Sequence, residues 1–409
     1  MTPVRACDCL VIGAGPAGLA AAIGAARAGR SVAVLEKNDR PGKKLLLTGG
    51  GRANLLVPEL PAATLAGEYG RDGSFLTQAL HAFDPAGFLA ALGVETERDP
   101  GGPVFVAGGA RRLLEALLAE CARLGVRVEA GAAAHTARPL GGGGFEVETA
   151  RGAFAATGRL VIAAGGMTYP STGSAGDGYA LAESFGHAVE SPRPALGPLR
   201  TWPCFPNLAG VSVPDARLEL GEGKKTLAKT RGPLVLTHDG ISGPAALALS
   251  LESARRGLGA GAALVADLAP GLSREELAAE FVARARAETK RTLENSGLAG
   301  LAIPARLGVE LARRAGLDPR RRMGSLSERD FARLAAAVKA LALSVTEPPR
   351  PEEAMVTVGG VLTQDLDPRT MESRLVPGLR FAGELLAPAG PCGGYNLLMA
   401  FATGAAAGS

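Results

Sequence analysis

A glycine-rich turn near the start of the chain constrains the fold more than any other feature. Residues 9–18 read Cys-Leu-Val-Ile-Gly-Ala-Gly-Pro-Ala-Gly, a short apolar run that meets three glycines. Their spacing is the dinucleotide fingerprint G-x-G-x-x-G, in which Gly13 permits a tight turn, Gly15 admits a pyrophosphate and Gly18 lets the next helix pack closely on the strand. A second apolar run ends at Glu36. A carboxylate at this position can accept hydrogen bonds from both hydroxyl groups of an adenosine ribose. The stretch therefore predicts a strand, a helix and a second strand around a dinucleotide, either NAD(P) or FAD.

Composition and charge restrict the class of protein. The chain has 409 residues, of which 47% are hydrophobic and 21% charged, a globular composition long enough for two or three domains. The net charge is only +4 and 4% of the residues are aromatic, which argues against base-stacking surfaces. We interpret the densest basic run, the three arginines at 320–322, as a solvated helix end. We therefore expect a small-molecule substrate and no nucleic-acid partner.

The cysteines and apolar runs bear on the environment of the protein. The five cysteines lie at irregular spacing without a Cys-x-x-Cys pair, so we expect no metal site and no dithiol motif. Five glycines and a proline interrupt the apolar residues 10–29, which fit a strand and a helix better than a membrane span. These features predict a cytoplasmic protein without a membrane partner.

A second glycine-rich segment follows Glu36. Residues 43–54 read Lys-Lys-Leu-Leu-Leu-Thr-Gly-Gly-Gly-Arg-Ala-Asn. Three successive glycines between a basic pair and Arg52 suggest backbone that passes very close to a ligand. The three leucines argue against a free loop, because a solvated loop gains nothing from them.

Three later segments have the pattern of elements that end at a cofactor. The strand-like residues 159–162 and 379–382 each run into small residues, at 163–166 and 383–384. Open α/β sheets bind ligands at the carboxyl ends of their strands, so we expect both ends to face the cofactor. The glycine pair at 393–394 opens a helix of small residues, whose N-terminus can face the same ligand.

Changes in composition divide the chain. Residues 153–156 belong to a small predicted β-meander that is separate from the strand at 159–162. Prolines cluster just after residue 190, and the segments from there to about 269 are short and strand-like. Helical periodicity follows, and residues 341–345 read as a strand that returns to the β-rich part.

Taken together, these segments resemble the BaiN-type family of NAD(P)/FAD-dependent oxidoreductases, which are aminoacetone-oxidase-like members of the two-dinucleotide-binding flavoproteins. The matching stretches are residues 43–54, 169–178 (Tyr-Pro-Ser-Thr-Gly-Ser-Ala-Gly-Asp-Gly), 237–244 (Thr-His-Asp-Gly-Ile-Ser-Gly-Pro), 356–361, 370–374 and 393–397. The resemblance covers almost the full length of the chain.

The resemblance implies an α/β fold with a Rossmann-like FAD-binding domain split between both chain ends, an inserted β-barrel-like domain and a nested helical domain. The expected domains are residues 1–189 and 348–409 for FAD, 190–269 with the return strand 340–347 for the β-rich domain, and 270–339 for the helical domain. The expected FAD contacts are Gly13, Gly15, Pro16, Ala17, Gly18, Glu36, Lys37, Lys44, Gly49, Gly50, Gly51, Arg52, Asn54, Ala134, Ala164, Gly165, Gly383, Glu384, Gly394, Tyr395, Asn396 and Leu397.

The chain departs from the family pattern near the expected flavin and substrate face. Ala53 stands where the family usually has Cys, and Leu398 stands where it usually has Gln. These departures bear on the substrate more than on FAD.

We predict an FAD-dependent oxidoreductase that transfers hydride through flavin N5 to or from a small molecule. A nicotinamide donor, NADH or NADPH, would dock without its own Rossmann domain, because no second fingerprint follows a strand. His238, in a glycine-containing loop, is the candidate proton donor, with a histidine that only holds the turn as the alternative. A flavin monooxygenase and a non-catalytic or redox-sensing flavin protein are the other hypotheses.

Overall fold

The computed structural model describes residues 5–55, 57, 60–99, 103–223, 225–296, 298 and 300–409. Two compact units divide the chain. The first extends to Pro194 and resumes at Ala354, and the second comprises residues 195–353. The chain thus leaves the first unit, builds the second and returns.

The strands are β1 (Arg5–Ile12), β2 (Val32–Glu36), β3 (Thr96–Arg98), β4 (Val104–Val106), β5 (Arg127–Ala130), β6 (Ala134–Pro139), β7 (Phe145–Thr149), β8 (Gly152–Ile162), β9 (Val189–Ala195), β10 (Leu199–Trp202), β11 (Ser212–Glu222), β12 (Lys225–Leu236), β13 (Gly240–Ser242), β14 (Ala263–Asp267), β15 (Leu341–Glu347), β16 (Val356–Val361) and β17 (Leu379–Phe381). The helices are α1 (Pro16–Arg27), α2 (Ala62–Gly67), α3 (Thr77–Ala82), α4 (Pro85–Ala91), α5 (Gly109–Arg123), α6 (Asp177–Ser184), α7 (Pro244–Arg255), α8 (Arg274–Ala287), α9 (Leu293–Ser296), α10 (Ala305–Arg314), α11 (Glu328–Lys339) and α12 (Tyr395–Gly408). None of these helices combines the length and apolar character that crossing a bilayer requires, as far as the described residues extend.

A seven-stranded sheet forms the centre of the first unit. Its order is β5-β2-β1-β8-β7-β6, and β17 also pairs with β8. The strands β5, β2, β1, β8 and β17 run parallel, whereas β7 pairs antiparallel with both β8 and β6. All five residues of β2 are buried, as expected for a parallel sheet covered on both faces.

β8 is one strand of 11 residues, where the sequence predicted two. Its first half pairs with β7 and its second half with β17. The register against β1 shifts between Cys7 and Cys9, which marks a bulge opposite Thr157 and Gly158. The prediction of two separate strands, at 153–156 and 159–162, was wrong, because a glycine inside a strand pattern also marks a bulge.

Small residues bring α1 and α12, from opposite ends of the chain, into close contact. A Cβ atom on Gly404 would lie 2.2 Å from the carbonyl oxygen of Ala17. A Cβ atom on Gly408 would lie 2.3 Å from the carbonyl oxygen of Ala21. The two helix backbones therefore approach to a distance that excludes any side chain at these glycines.

A buried carboxylate joins α1 to α5. Glu120 accepts hydrogen bonds from Arg123, at 2.7 Å, and from Arg27, also at 2.7 Å. The side chain of Glu120 is only 9% exposed. Hydrogen bonds from Arg123 first, and from Arg27, lower the pKa of Glu120 from 4.5 to about 2.

Replacing Glu120 with glutamine is expected to lower the free energy of unfolding by about 1–3 kcal/mol at pH 7. A carboxyl whose pKa is depressed by folding stabilises the protein above its unfolded pKa of 4.5, and this contribution disappears as the pH falls toward about 2. Urea unfolding of the unmodified protein and of the variant, at neutral pH and near pH 3, measures the effect. The difference between their free energies of unfolding should be smaller at the lower pH. An equal difference at both pH values would contradict the assignment.

The second unit contains a closed antiparallel barrel of six strands, in the order β10-β13-β12-β11-β14-β15. Helices α8 to α11 lie in the chain between β14 and β15, and their apolar residues share one hydrophobic cluster with the barrel. Leu264 and Leu343 of the barrel, for example, belong to the same cluster as Phe281 and Phe331 of the helices. The predicted fold class, a split Rossmann-type part with an inserted barrel and nested helices, is confirmed.

Candidate functional site

The fingerprint turn joins β1 to α1 at the carboxyl edge of the sheet. Gly13 has a φ of 102°, and a Cβ atom there would lie 2.4 Å from the carbonyl oxygen of Ala163. A Cβ atom on Gly18 would lie 1.8 Å from the carbonyl oxygen of Gly13. Both positions therefore require glycine. Gly15 is different, because among the described residues no atom beyond its chain neighbours lies within 4 Å of its would-be Cβ, so this glycine borders open space.

The N-terminus of α1 opens at Gly15. Pro16 occupies the first turn, and no side chain caps the helix. The unpaired N–H groups of the first turn and the positive end of the helix dipole favour an anion. With the open space beside Gly15, this arrangement can hold a pyrophosphate.

Glu36 ends β2 beside the fingerprint and is only 7% exposed. Its Oε2 accepts a hydrogen bond from the backbone N–H of Ala14 at 3.0 Å, and its Oε1 accepts two from Asn38 at 2.8 and 2.7 Å. Oε2 thus retains a lone pair for a ribose hydroxyl. The backbone of Ala132 bonds to the carbonyl oxygen of Glu36, which brings the predicted contact Ala134 to this edge.

The ends of β8 and β17 also reach the fingerprint. The would-be Cβ of Gly13 lies 3.1 Å from the Cα of Ala164, and that of Gly383 lies 2.7 Å from the Cβ of Ala17. The backbone N–H of Gly383 donates to Thr403 of α12 at 2.9 Å. Four separated chain segments therefore meet at one edge of the sheet, where open α/β sheets bind ligands.

A polar cluster, formed by Lys44, Thr168, Thr357 and Glu384, joins the residues that follow β8 and β17 to the segment after β2 and to β16. Nζ of Lys44 lies 2.5 Å from Oε2 of Glu384 and donates to Oγ1 of Thr168 at 2.8 Å. Oε1 of Glu384 accepts from the Thr168 hydroxyl at 3.1 Å and from the backbone N–H of Thr357 at 2.8 Å. Both threonines are fully buried, whereas the charged side chains are 22% and 16% exposed. The ion pair of Lys44 and Glu384 therefore has hydrogen-bond partners within the protein and is still partly accessible to solvent.

Asn54 lies against the N-terminus of α12. Its side-chain oxygen would be 2.8 Å from a Cβ on Gly394, the left-handed residue that precedes the helix. Asn54 is only 8% exposed, and its Oδ1 has no hydrogen-bond partner in the described part of the chain. A buried amide oxygen without a protein partner can accept a hydrogen bond from a ligand or from an ordered water.

Two buried hydroxyl groups lie near the end of β8. The side-chain oxygen of Ser174 has no hydrogen-bond partner among the described residues, and the phenol of Tyr179 lies beside Thr357. Ser174 lies 3.1 Å from the would-be Cβ of Gly165, a predicted cofactor contact. Burial, and then the charge of Glu384, raise the pKa of Tyr179. The phenol therefore remains neutral and can donate a hydrogen bond.

Other predicted contacts use their polar groups within the protein. Arg52 forms a bidentate pair with Asp99, at 2.7 and 2.9 Å, and its guanidinium lies 3.7 Å from the ring centroid of Phe105. Lys37 pairs with Asp177.

Three predicted contacts open α12, and their polar groups are partly engaged. The amide of Asn396 bonds to the backbone of Gly390 and Pro391, and Tyr395 accepts the Tyr69 hydroxyl at 2.7 Å through its carbonyl oxygen. Leu397 is buried beside them. These residues shape the entrance to α12 through the loop at 390–394.

His238 belongs to the second unit. It is exposed in the turn between β12 and β13, next to Asp239, whose carbonyl oxygen accepts the backbone N–H of Thr201 at 3.1 Å. Its role as a proton donor stays a prediction.

Thr168, Ser174, Thr357 and Tyr179 are not among the residues that the sequence predicts for the site. Ser174 and Tyr179 lie in or just after the hydroxyl-rich stretch 169–178, which matches the family pattern. Thr357 lies in the matching stretch 356–361, but the local sequence of neither threonine indicates its partners Lys44 and Glu384, which are far away in the chain.

These features fit FAD. The N-terminus of α1 has no side-chain cap at Gly15 and borders open space, and the acidic residue Glu36 ends β2. The side chains of Asn54 and Ser174 each have a buried oxygen that has no hydrogen-bond partner within the described residues. The left-handed residues of the 49–53 turn, three glycines and Ala53, give the loop a tightly curved backbone beside Asn54.

The chain matches known proteins over nearly its whole length. Residues 7–409 match the family model described as "HI0933-like protein Rossmann domain". The 3-dehydro-bile acid delta(4,6)-reductase of Clostridium scindens is 33% identical over 407 residues, which cover 97% of each chain. The ribosomal RNA dihydrouridine synthase of Escherichia coli is 31% identical over 411 residues, which cover 97% of this chain and 96% of the relative.

A solved structure with a similar fold is the 3-ketosteroid delta1-dehydrogenase from Sterolibacterium denitrificans in complex with 1,4-androstadiene-3,17-dione. The TM-score is 0.52 at 14% identity, and 99% of each chain is covered. At this identity the similarity concerns the fold alone.

Proposed function

The chain belongs to the HI0933-like Rossmann-domain family, as its motifs predicted, and from this premise we propose that it is an FAD-dependent reductase of carbon–carbon double bonds conjugated with a carbonyl group. The membership itself makes it a flavin-type oxidoreductase. The observation that supports FAD as the cofactor is the convergence of the fingerprint turn, the ends of β8 and β17 and the start of α12 at one sheet edge, beside buried polar atoms that have no partner among the described residues.

The names of two relatives support the reaction class. One relative is named as a delta(4,6)-reductase of a 3-dehydro bile acid, and the other as a synthase of dihydrouridine in ribosomal RNA. In both named reactions a double bond conjugated with a carbonyl group is reduced. Hydride addition to such a bond places negative charge on the carbonyl oxygen, and a proton completes the reduction.

The residues of the first unit have distinct roles in this proposal. FAD, when bound, supplies a hydride donor and acceptor at N5. Glu36 binds the adenosine ribose, and the α1 N-terminus binds the pyrophosphate. Asn54 and the N-terminus of α12 hold the remainder of the cofactor, and the pair Lys44–Glu384 keeps the surrounding loops in place.

His238 is the proposed proton donor to the substrate carbon. Its loop, with glycine on both sides of Ile241-Ser242, leaves the imidazole exposed. NADH or NADPH is the proposed electron source. The acceptor is an enone in a small molecule or a uracil ring.

Anaerobic spectroscopy of FAD-loaded protein tests the function. We expect absorbance near 450 nm to bleach on mixing with NADH or NADPH and to return when a 3-oxo-Δ4 steroid or a uridine-containing RNA is added. His238→Gln should retain FAD and bleaching but show slower return of the absorbance. If neither nucleotide bleaches the flavin, and chemically reduced flavin is not reoxidised by either acceptor, a redox-sensing flavin protein replaces this proposal.

A further inference from the structure

Two basic segments lie side by side in the second unit. Thr292 and Arg322 form an antiparallel bridge. The backbone N–H of Leu293 donates to the carbonyl oxygen of Arg321 at 2.9 Å, and that of Met323 donates to Arg291 at 2.8 Å. The pairing assembles a group that we name the basic strip, and its members are Lys290, Arg291, Arg320, Arg321 and Arg322.

The basic strip keeps most of its charge free of carboxylates. All five side chains belong to exposed residues. Arg291 lies 3.7 Å from Glu288 and Arg321 lies 3.9 Å from Asp330, both at the outer limit of an ion pair. The other three members have no carboxylate oxygen within 4 Å in the portion of the chain that the structure describes. From residue 284 to 322 the sequence has ten arginines and lysines against four acidic residues.

The setting of the strip differs from the solvated helix end expected from the sequence. The arginines at 320–322 lie outside the α-helices, after α10 has ended at Arg314. The local sequence around these arginines does not indicate the second basic segment that the fold places beside them. Hydrogen bonds hold the backbone of both segments, so the cations share a common frame rather than one flexible loop.

The chemistry of the strip favours a phosphate backbone over a membrane. Four of its five members are arginines, whose guanidinium groups bind phosphate through two parallel hydrogen bonds. A membrane-binding surface also presents apolar side chains for insertion. Here the neighbouring apolar residues Leu293 and Met323 are 4% and 0% exposed, so they contribute nothing to the surface.

We propose that the basic strip binds the phosphates of RNA. This inference rests on the proposed function for its link to catalysis, because it selects the uracil ring of an RNA over an enone in a small molecule as the substrate. The strip binds backbone rather than bases, so it supplies affinity and not sequence recognition.

The test measures binding of the FAD-loaded full chain to a fluorescein-labelled RNA hairpin by anisotropy, between about 50 and 200 mM KCl. The double variant R320Q/R322Q is expected to bind about tenfold more weakly, and the slope of log Kd against log salt is expected to fall by about two, one for each lost phosphate contact. Absorbance near 450 nm confirms that the variant keeps its cofactor and fold.

The matched control is K225Q/R274Q. It removes two exposed cations of the same unit, and neither has a carboxylate oxygen within 4 Å among the described residues. It should leave both affinity and slope close to those of the unmodified protein. Equal losses in the two double variants would overturn the proposal, as would absence of RNA binding or tighter binding to phosphatidylglycerol vesicles. The flavin stays oxidised throughout, so failure to bind RNA is distinguishable from failure of the reductase.

Discussion

Replacing Gly404 with alanine is expected to lower the free energy of unfolding of the first unit by about 2–3 kcal/mol and to yield protein with little bound FAD. The new methyl group would lie 2.2 Å from the carbonyl oxygen of Ala17, a backbone atom of the fingerprint helix. It can be accommodated only if α1 and α12 separate. Separation displaces the fingerprint turn on one helix and the N-terminus of the other, which are both proposed to face FAD. Urea unfolding and the ratio of absorbance at 450 to 280 nm measure the two effects.

Two glycines provide graded controls for this prediction. A Cβ on Gly24 would meet its nearest neighbour, Cα of Gly408, at 3.4 Å, which is ordinary contact in the same helix pair. A Cβ on Gly67 in α2 would meet no described atom within 4 Å apart from those of its own helix and chain neighbours. Both alanine variants should be neutral or gain up to about 1 kcal/mol from helix propensity. If Gly24→Ala were as destabilising as Gly404→Ala, close approach of the helices would not be the cause.

Replacing Lys44 with methionine is expected to lower the free energy of unfolding by about 2–3 kcal/mol and to weaken FAD binding. The substitution leaves the carboxylate of Glu384, which is only 16% exposed, without its cation. The hydrogen bonds from Thr168 and Thr357 satisfy Oε1 of that carboxylate but leave Oε2 without a donor. Urea unfolding and FAD titration check the result.

A double-mutant cycle separates the ion pair from general loss of packing. Glu384→Gln alone should also lower the free energy of unfolding. The double variant should lose less stability than the two single variants do in sum, because it leaves no unpaired charge. The control is Lys43→Met. It removes the adjacent lysine from its ion pair with Asp39, whose side chain is 72% exposed. It should change stability by less than about 1 kcal/mol. Additive losses in the cycle would argue against a coupled pair.

Part of the candidate site could be predicted from the sequence, because it depends on steric contacts between residues that are close in the chain. The fingerprint glycines follow from contacts within one strand-turn-helix unit, so Gly13 and Gly18 carried their own signal. The ends of β8 and β17 were predictable because small residues follow a buried strand in each case. Their meeting at one edge was predictable because parallel strands end on the same side.

Long-range pairings could not be predicted in the same way. Lys44 and Glu384 were each expected to contact FAD, yet nothing in their local sequence shows that they contact each other across the unit. Arg52 was expected to bind the cofactor, and the structure pairs it with Asp99, a residue in no motif. A charge carries no periodic signal, so its partner becomes visible only when the fold is known.

The packing of α1 against α12 also determines when the protein can mature. The fingerprint helix emerges early from the ribosome, whereas its partner helix emerges only after the second unit has been completed. At about 5–20 residues per second, the barrel has time to fold while the first unit still lacks its closing helix. We therefore expect flavin loading to be a late event in biosynthesis, and interrupted translation to leave a folded barrel attached to an unfinished, protease-sensitive first unit.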